Sequence, residues 1–101
     1  MSVEIGMRGG AETVVTDRDT ARAMGSGLVP VFATPRMIAL MEEAAVNAVQ
    51  SALPADEGTV GVRLDVTHDA ATPVGMRVRA EAEVTAVEGR KITFAVSAYD
   101  G

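Results

Sequence analysis

Val31-Phe32-Ala33-Thr34-Pro35-Arg36-Met37-Ile38-Ala39-Leu40-Met41-Glu42-Glu43-Ala44-Ala45-Val46-Asn47-Ala48-Val49-Gln50-Ser51-Ala52-Leu53 is the only long helical pattern in the 101-residue chain, and its reading decides the fold. Thr34 suits the N-cap, where a hydroxyl satisfies a free amide. Pro35 suits the first helical position, where its φ is already set and its missing N–H costs nothing. At about 100° per residue, Arg36, Glu43, Asn47, Gln50 and Ser51 gather on one side, while Met37, Ile38, Met41, Ala45, Val46, Val49, Ala52 and Leu53 cover most of the rest. So wide an apolar arc predicts a nearly engulfed helix. Glu42 is out of place in it. It falls among Ile38, Ala45, Val46 and Val49, and a carboxylate aimed into apolar surroundings needs a partner or a task.

Outward from the helix, the pattern changes from a period near 3.6 to a period of two. Thr59 to His68 alternates, with Val60, Val62, Leu64, Val66 and His68 on one face, and predicts a strand. Met76, Val78, Ala80, Ala82, Val84 and Ala86 oppose Arg77, Arg79, Glu81, Glu83 and Thr85, as in an antiparallel strand with one wet face. The last strand turns Ile92, Phe94, Val96 and Ala98 inward. A shared inner face demands cross-strand partners of equal parity, so Val87-Glu88-Gly89 is expected as a three-residue loop that pairs Val84 with Ile92. Before the helix, Met1 to Gly10 reads as a loose lead-in and Ala11 to Thr16 as a strand. Thr16-Asp17-Arg18-Asp19 then opens a short helix that Gly25 ends. There is no repeat and no second domain, so residues 1–101 are read as one small α+β domain.

Composition narrows the function. The core must be built from aliphatic residues and Met, because the 48% hydrophobic content includes one Tyr, two Phe and no Trp. A small core of this kind gains from a dimer interface. A net charge of −5 and a pI near 4.7 exclude a general nucleic-acid or acidic-membrane binder. The absence of Cys excludes thiolate metal sites and cysteine nucleophiles, and the single His excludes a multi-histidine metal site within one chain. No stretch resembles a signal peptide or a membrane span, so a soluble cytoplasmic protein is expected.

Three side chains can carry chemistry. Thr34 stands at the start of the helix, Glu42 on its apolar side and His68 on the inward face of the following strand. The common role of Thr34 is a cap; the sharper one offers its hydroxyl to a reacting carbonyl. Glu42 and His68 are either a carboxylate at a pocket edge and a satisfied core imidazole, or an acid–base pair suited to hydrolysis. Thr34 and Glu42 lie two turns apart, roughly 12 Å along the axis. Met24, Met37, Met41 and Met76 read as core filler, and Arg77 and Arg79 as solvent-facing strand residues.

Val31-Phe32-Ala33-Thr34-Pro35, Leu40-Met41-Glu42, Thr59-Val60-Gly61, Val66-Thr67-His68, Ala71-Thr72-Pro73-Val74-Gly75, Val87-Glu88-Gly89-Arg90 and Ala98-Tyr99-Asp100-Gly101 together resemble the hotdog-fold thioesterases related to fluoroacetyl-CoA thioesterase. The resemblance implies a long helix wrapped by an antiparallel sheet, homodimerisation, and cleavage of acyl-CoA at sites near the dimer boundary. Coenzyme A would enter as part of the substrate, with no separate cofactor. It further implies that Thr34, Glu42 and His68 match the family's catalytic Thr, Glu and His, and Gly61 a glycine of its active site. Glu42 would attack the thioester carbonyl or activate water, His68 would manage protons, and Thr34 would orient the carboxylate or substrate.

Two departures accompany the resemblance. An aromatic-rich lid precedes the catalytic Thr of the fluoroacetyl enzyme, whereas Met24-Gly25-Ser26-Gly27-Leu28-Val29-Pro30 stands here, so fluoroacetyl specificity does not carry over. Family members also continue past the Asp-Gly equivalent into a further strand inside the sheet, so a C-terminally truncated form of the fold, with exposed edges, is expected. The expected function is hydrolysis of a small acyl-CoA. The alternatives are a non-catalytic hotdog module that binds an acyl thioester or apolar ligand, and an inactive truncated domain.

Overall fold

A computed structural model describes residues 2–101. Three antiparallel strands, β1 (Arg8–Val14), β2 (Arg77–Glu88) and β3 (Lys91–Asp100), form one sheet in the order β1-β2-β3. A single-turn helix, α1 (Ala21–Met24), precedes the long helix α2 (Thr34–Val49), which tightens into a 3-10 turn over Gln50–Ala52. α2 lies across one face of the sheet and contacts all three strands. Its buried residues Met37, Leu40, Met41 and Ala44 pack on Ala11, Val78, Ala80 and Ala82, with Phe32 and Val15 closing the end. Val49, Ala48 and Val84 continue the core toward the hairpin tip.

The period-two readings of β2 and β3 fit this arrangement. Val78, Ala80, Ala82 and Val84 are buried, and Ile92, Phe94, Val96 and Ala98 are half-buried under the helix. The outer face carries cross-strand polar pairs: Arg8 with Glu83 at 3.1 Å, Arg77 with Glu12 at 3.4 Å, and the Tyr99 hydroxyl on Glu81. The hairpin differs from expectation. Glu88 pairs with Lys91, leaving a two-residue turn at Gly89-Arg90, and Val84 faces Phe94 rather than Ile92. Gly89 has φ 59° while Arg90 does not enter the positive range, the pattern of a turn with glycine in the first central position. The parity requirement is met by a bulge between Val84 and Ala86, whose extra residue returns the apolar set to the inner face.

The lead-in is also more ordered than expected, since Arg8–Gly10 already belong to β1. Glycine is needed there for proximity. A Cβ on Gly9 would lie 2.3 Å from the Ala48 backbone nitrogen and 2.5 Å from the Ala44 carbonyl oxygen, so the helix backbone rests directly on the strand.

The largest correction concerns Thr59 to His68. These residues form neither strand nor helix, and among the described residues no backbone–backbone hydrogen bond involves residues 58–71; just beyond them the Thr72 carbonyl accepts from the Phe32 amide at 2.8 Å. Alternation predicts a half-buried strand only when a neighbouring strand supplies the ladder, and among the described residues none does. Val60 and Val62 are accordingly 87% and 86% exposed. The helix is therefore not engulfed: the sheet buries one face, and Ile38, Ala45 and Val46 on the other flank are only half-buried.

Candidate active site

The helix start differs from the cap expectation by one residue, and the difference frees a hydroxyl. Ala33, extended at φ −73° and ψ 138°, is the N-cap, and its carbonyl accepts from both the Arg36 and Met37 amides at 3.0 Å. Thr34 is the first helical residue and Pro35 follows it, so the proline still occupies a position whose N–H is not needed. The Thr34 side chain makes no cap bond. Its Oγ1 instead lies 2.7 Å from His68 Nδ1. With the imidazole proton on Nε2 the hydroxyl donates to Nδ1, and with the proton on Nδ1 it accepts.

Around this pair the backbone is tied on several sides. The Ala33 amide donates to the Asp19 carbonyl and the Phe32 amide to the Thr72 carbonyl, both at 2.8 Å. Arg36 Nε donates to Asp19 Oδ1 at 3.1 Å, and Asp19 Oδ2 accepts from the Thr16 amide and hydroxyl at 2.8 and 2.9 Å. Partial burial tends to raise the Asp19 pKa, but the bonds from Thr16 and the bond and charge of Arg36 together outweigh it and hold the carboxyl below its ordinary value. Beyond His68, the buried Thr72 hydroxyl donates to Asp100 Oδ2 at 2.7 Å, fixing the end of the 58–71 segment to the end of β3. Thr72 reads as a turn residue in the sequence. Its partner lies 28 positions away, and no local pattern announces the contact.

Glu42 corrects a second expectation, because it is exposed rather than enclosed by apolar side chains. The residues under the sheet are Met37, Leu40, Met41, Ala44 and Ala48, and Glu42 projects from the opposite flank. The irregular 58–71 segment approaches it there through Gly61. A Cβ on Gly61 would fall 2.7 Å from Glu42 Oε2, so the carboxylate lies against the bare glycine backbone. No hydrogen bond links Glu42 to Thr34 or His68 among the described residues. The structure thus joins two of the sequence candidates, Thr34 with His68, and separately places Glu42 beside Gly61.

Two cavities meet at His68. One of about 530 Å³ runs between β3 and residues 65–70, with Met37, Met41, Val96 and Ala98 at its base and Asp65 and Asp100 at its rim. The other, of about 290 Å³, lies between residues 26–29 and 68–71 and has Thr34 in its wall. Neither is lined by Glu42 or Gly61. Among the described residues no group of three or more His, Asp or Glu side chains is placed to hold a metal ion. What the arrangement offers is an imidazole oriented by a hydroxyl at a cavity wall, a combination suited to moving protons.

Residues 15–101 match the family model described as fluoroacetyl-CoA-specific thioesterase. A fluoroacetyl-CoA thioesterase of Streptantibioticus cattleyicolor is 49% identical over 71 residues, which are 70% of this chain and 51% of that protein. The matched stretch therefore spans about half the length of that relative. Among solved structures, the fluoroacetyl-CoA thioesterase FlK superposes with a TM-score of 0.92 at 38% identity, covering 100% of this chain and 79% of that one. A thioesterase superfamily member from Thermus thermophilus gives 0.88 at 34% identity, covering 98% and 73%. A hot-dog-like protein from Thermanaerovibrio acidaminovorans gives 0.83 at 26%, covering 95% and 71%. The α+β arrangement of one long helix on an antiparallel sheet is thus a hotdog-like thioesterase fold.

Proposed function

The chain belongs to the fluoroacetyl-CoA-specific thioesterase family, and from that premise we propose that it hydrolyses a small acyl-CoA thioester to the free acid and coenzyme A. The observation that carries this reading is the 2.7 Å contact between the Thr34 hydroxyl and His68 Nδ1. A hydroxyl released from helix capping and spent on an imidazole at a cavity wall has little structural return at an exposed position, whereas it fixes the ring orientation that proton transfer needs. In this proposal Thr34 positions His68, and His68 handles the proton of the attacking water and of the departing thiolate. Glu42 supplies the carboxylate, either as nucleophile on the thioester carbonyl or as base toward water. Gly61 leaves its Cβ position open so that Glu42 and the thioester can approach the same backbone. Water adds to the carbonyl, the C–S bond breaks, and one proton ends on the thiol.

Glu42 and Gly61 stand apart from the Thr34–His68 pair in the isolated chain. A homodimer is part of the proposal for that reason: a second copy across the exposed Val60–Val62 surface would press the 58–71 segment onto the helix and enclose Glu42. No helix among the described residues is long and apolar enough to cross a membrane, and a cytoplasmic location is proposed with the acyl-CoA substrate. The alternative of a non-catalytic acyl-thioester binder draws on the same separation of Glu42 from His68.

Thiol release from short acyl-CoAs tests the reading. Glu42→Gln and His68→Ala are each expected to lower kcat by about 10²-fold or more, and Thr34→Ala by a smaller factor. Equal turnover in the parent and both variants would sink the acid–base assignment, and binding without turnover in the parent would favour the non-catalytic module.

A further inference from the structure

We infer that the acyl group accepted at this site is a neutral aliphatic chain of about four to six carbons, filling the smaller cavity beside Thr34 and His68; the inference rests on the thioesterase reading above and narrows its substrate. That cavity has a volume of about 290 Å³, and Thr34 and His68 both lie in its wall. His68 also borders the larger cavity, but Thr34 does not, so a carbonyl held at the pair directs its substituent into the smaller space. At roughly 30 Å³ per water-sized volume, the space takes far more than a two-carbon acyl group. Left beside acetyl, it would stay filled with water against apolar walls.

The chemistry of the walls sets the class of chain. Val29, Val31 and Phe32 provide apolar surface, and Ala21 and Ala71 leave room by being short. No Lys or Arg contributes, and besides His68 the one ionisable lining residue is Asp69. An acyl group ending in a carboxylate would meet Asp69 with no cation to offset it, which is unfavourable for both charges.

A second observation comes from the mouth. Leu28 and Val29 line the cavity, yet they are 91% and 58% exposed. Apolar side chains held in solvent at the rim gain by covering an aliphatic chain, and a two-carbon group is too short to reach them. Two glycines just before them give the rim backbone its freedom, with Gly25 at φ 76° and Gly27 bare above the Ala21 methyl. Each methylene withdrawn from water into this space is worth about fourfold in kcat/KM.

The test is the chain-length profile of thiol release by the intact protein with acetyl-, butanoyl-, hexanoyl- and succinyl-CoA. Expected is a rise of about fourfold per methylene from acetyl toward hexanoyl, with succinyl at least about tenfold below butanoyl. Ala71→Leu, which fills the cavity, should lower the hexanoyl-to-acetyl ratio by about tenfold. Leu28→Ser, at a position too exposed to disturb folding, should lower the same ratio by a few fold. A flat or falling profile in the parent, or a ratio unmoved by both variants, would overturn the inference while thiol release itself leaves the thioesterase reading standing. No release from any thioester would overturn both.

Discussion

The helix-on-sheet body and the segment from Gly58 to Ala71 are built from similar residues and end in opposite states. In β2, alternating apolar residues are buried to the last few per cent, with Val84 and Ala80 at 0% exposure. In residues 59–68 the same alternation leaves Val60 and Val62 almost fully in solvent. The difference lies in pairing and not in composition: β2 has a strand on each side, and the 58–71 segment has none among the described residues. A pleated pattern is thus a preference for one-sided burial that a hydrogen-bonded neighbour must complete. The proposed site spans both states, with Thr34 and Glu42 on the packed helix and Gly61 and His68 on the unpaired segment.

Amide hydrogen exchange offers the widest separation. The central amides of β2 should exchange at least about 10³-fold more slowly than those of residues 59–67; comparable protection in the two would break the contrast. Leu40→Ala removes a side chain 1% exposed at the centre of the core and should cost about 4 kcal/mol in urea unfolding. Gly9→Ala comes next, at about 3 kcal/mol, because the new methyl meets helix backbone that has no rotamer with which to yield.

Asp19→Asn weakens the tie between the turn at residues 16–19 and the start of α2 and should cost about 2 kcal/mol near neutral pH. Its sign with pH follows from the lowered pKa. A depressed folded value gives stability that is present above the unfolded carboxylate value of about 3.9 and lost as pH falls through the folded value. The gap between parent and Asp19→Asn in thermal melts should therefore close on acidification below about pH 4. Val62→Ala, made at 86% exposure, should change stability by less than about 0.5 kcal/mol in the monomer. A larger loss that grows with protein concentration would instead reveal a second copy on that surface.

The body of the fold was legible in the sequence because local and global signals agree there. The alternation in β2 and β3 points to one buried face, and the structure uses that face; on the helix, Met37, Met41 and Val49 of the apolar arc are buried, while Leu40, Ala44 and Ala48 complete the side the sheet covers and Ile38, Ala45 and Val46 stay half-buried. The hairpin register was not legible. A turn at Gly89-Arg90 with a bulge after Val84 meets the same parity condition as the longer loop. Glu42 was misplaced for a similar reason, since a helical wheel shows neighbours on the same helix and is silent about which side the sheet covers. Thr34 and His68 stood out as chemically capable residues, but their 2.7 Å contact joins positions 34 apart. Only the tertiary path, with Phe32 tied to Thr72, brings them together.

The contact between Gly9 and the α2 backbone has a consequence for where a substrate can sit. Side-chain volume sets the thickness of the layer between helix and sheet, and that layer is not uniform along α2. At its C-terminal end glycine faces alanine, and backbone meets backbone. Toward its N-terminal end Met37, Met41 and Phe32 fill the space. The helix is thus seated like a wedge, shut at Ala48 and propped open toward Thr34. Both cavities occur at the propped end, and larger residues at Gly9 would tend to level the wedge rather than enlarge the mouth.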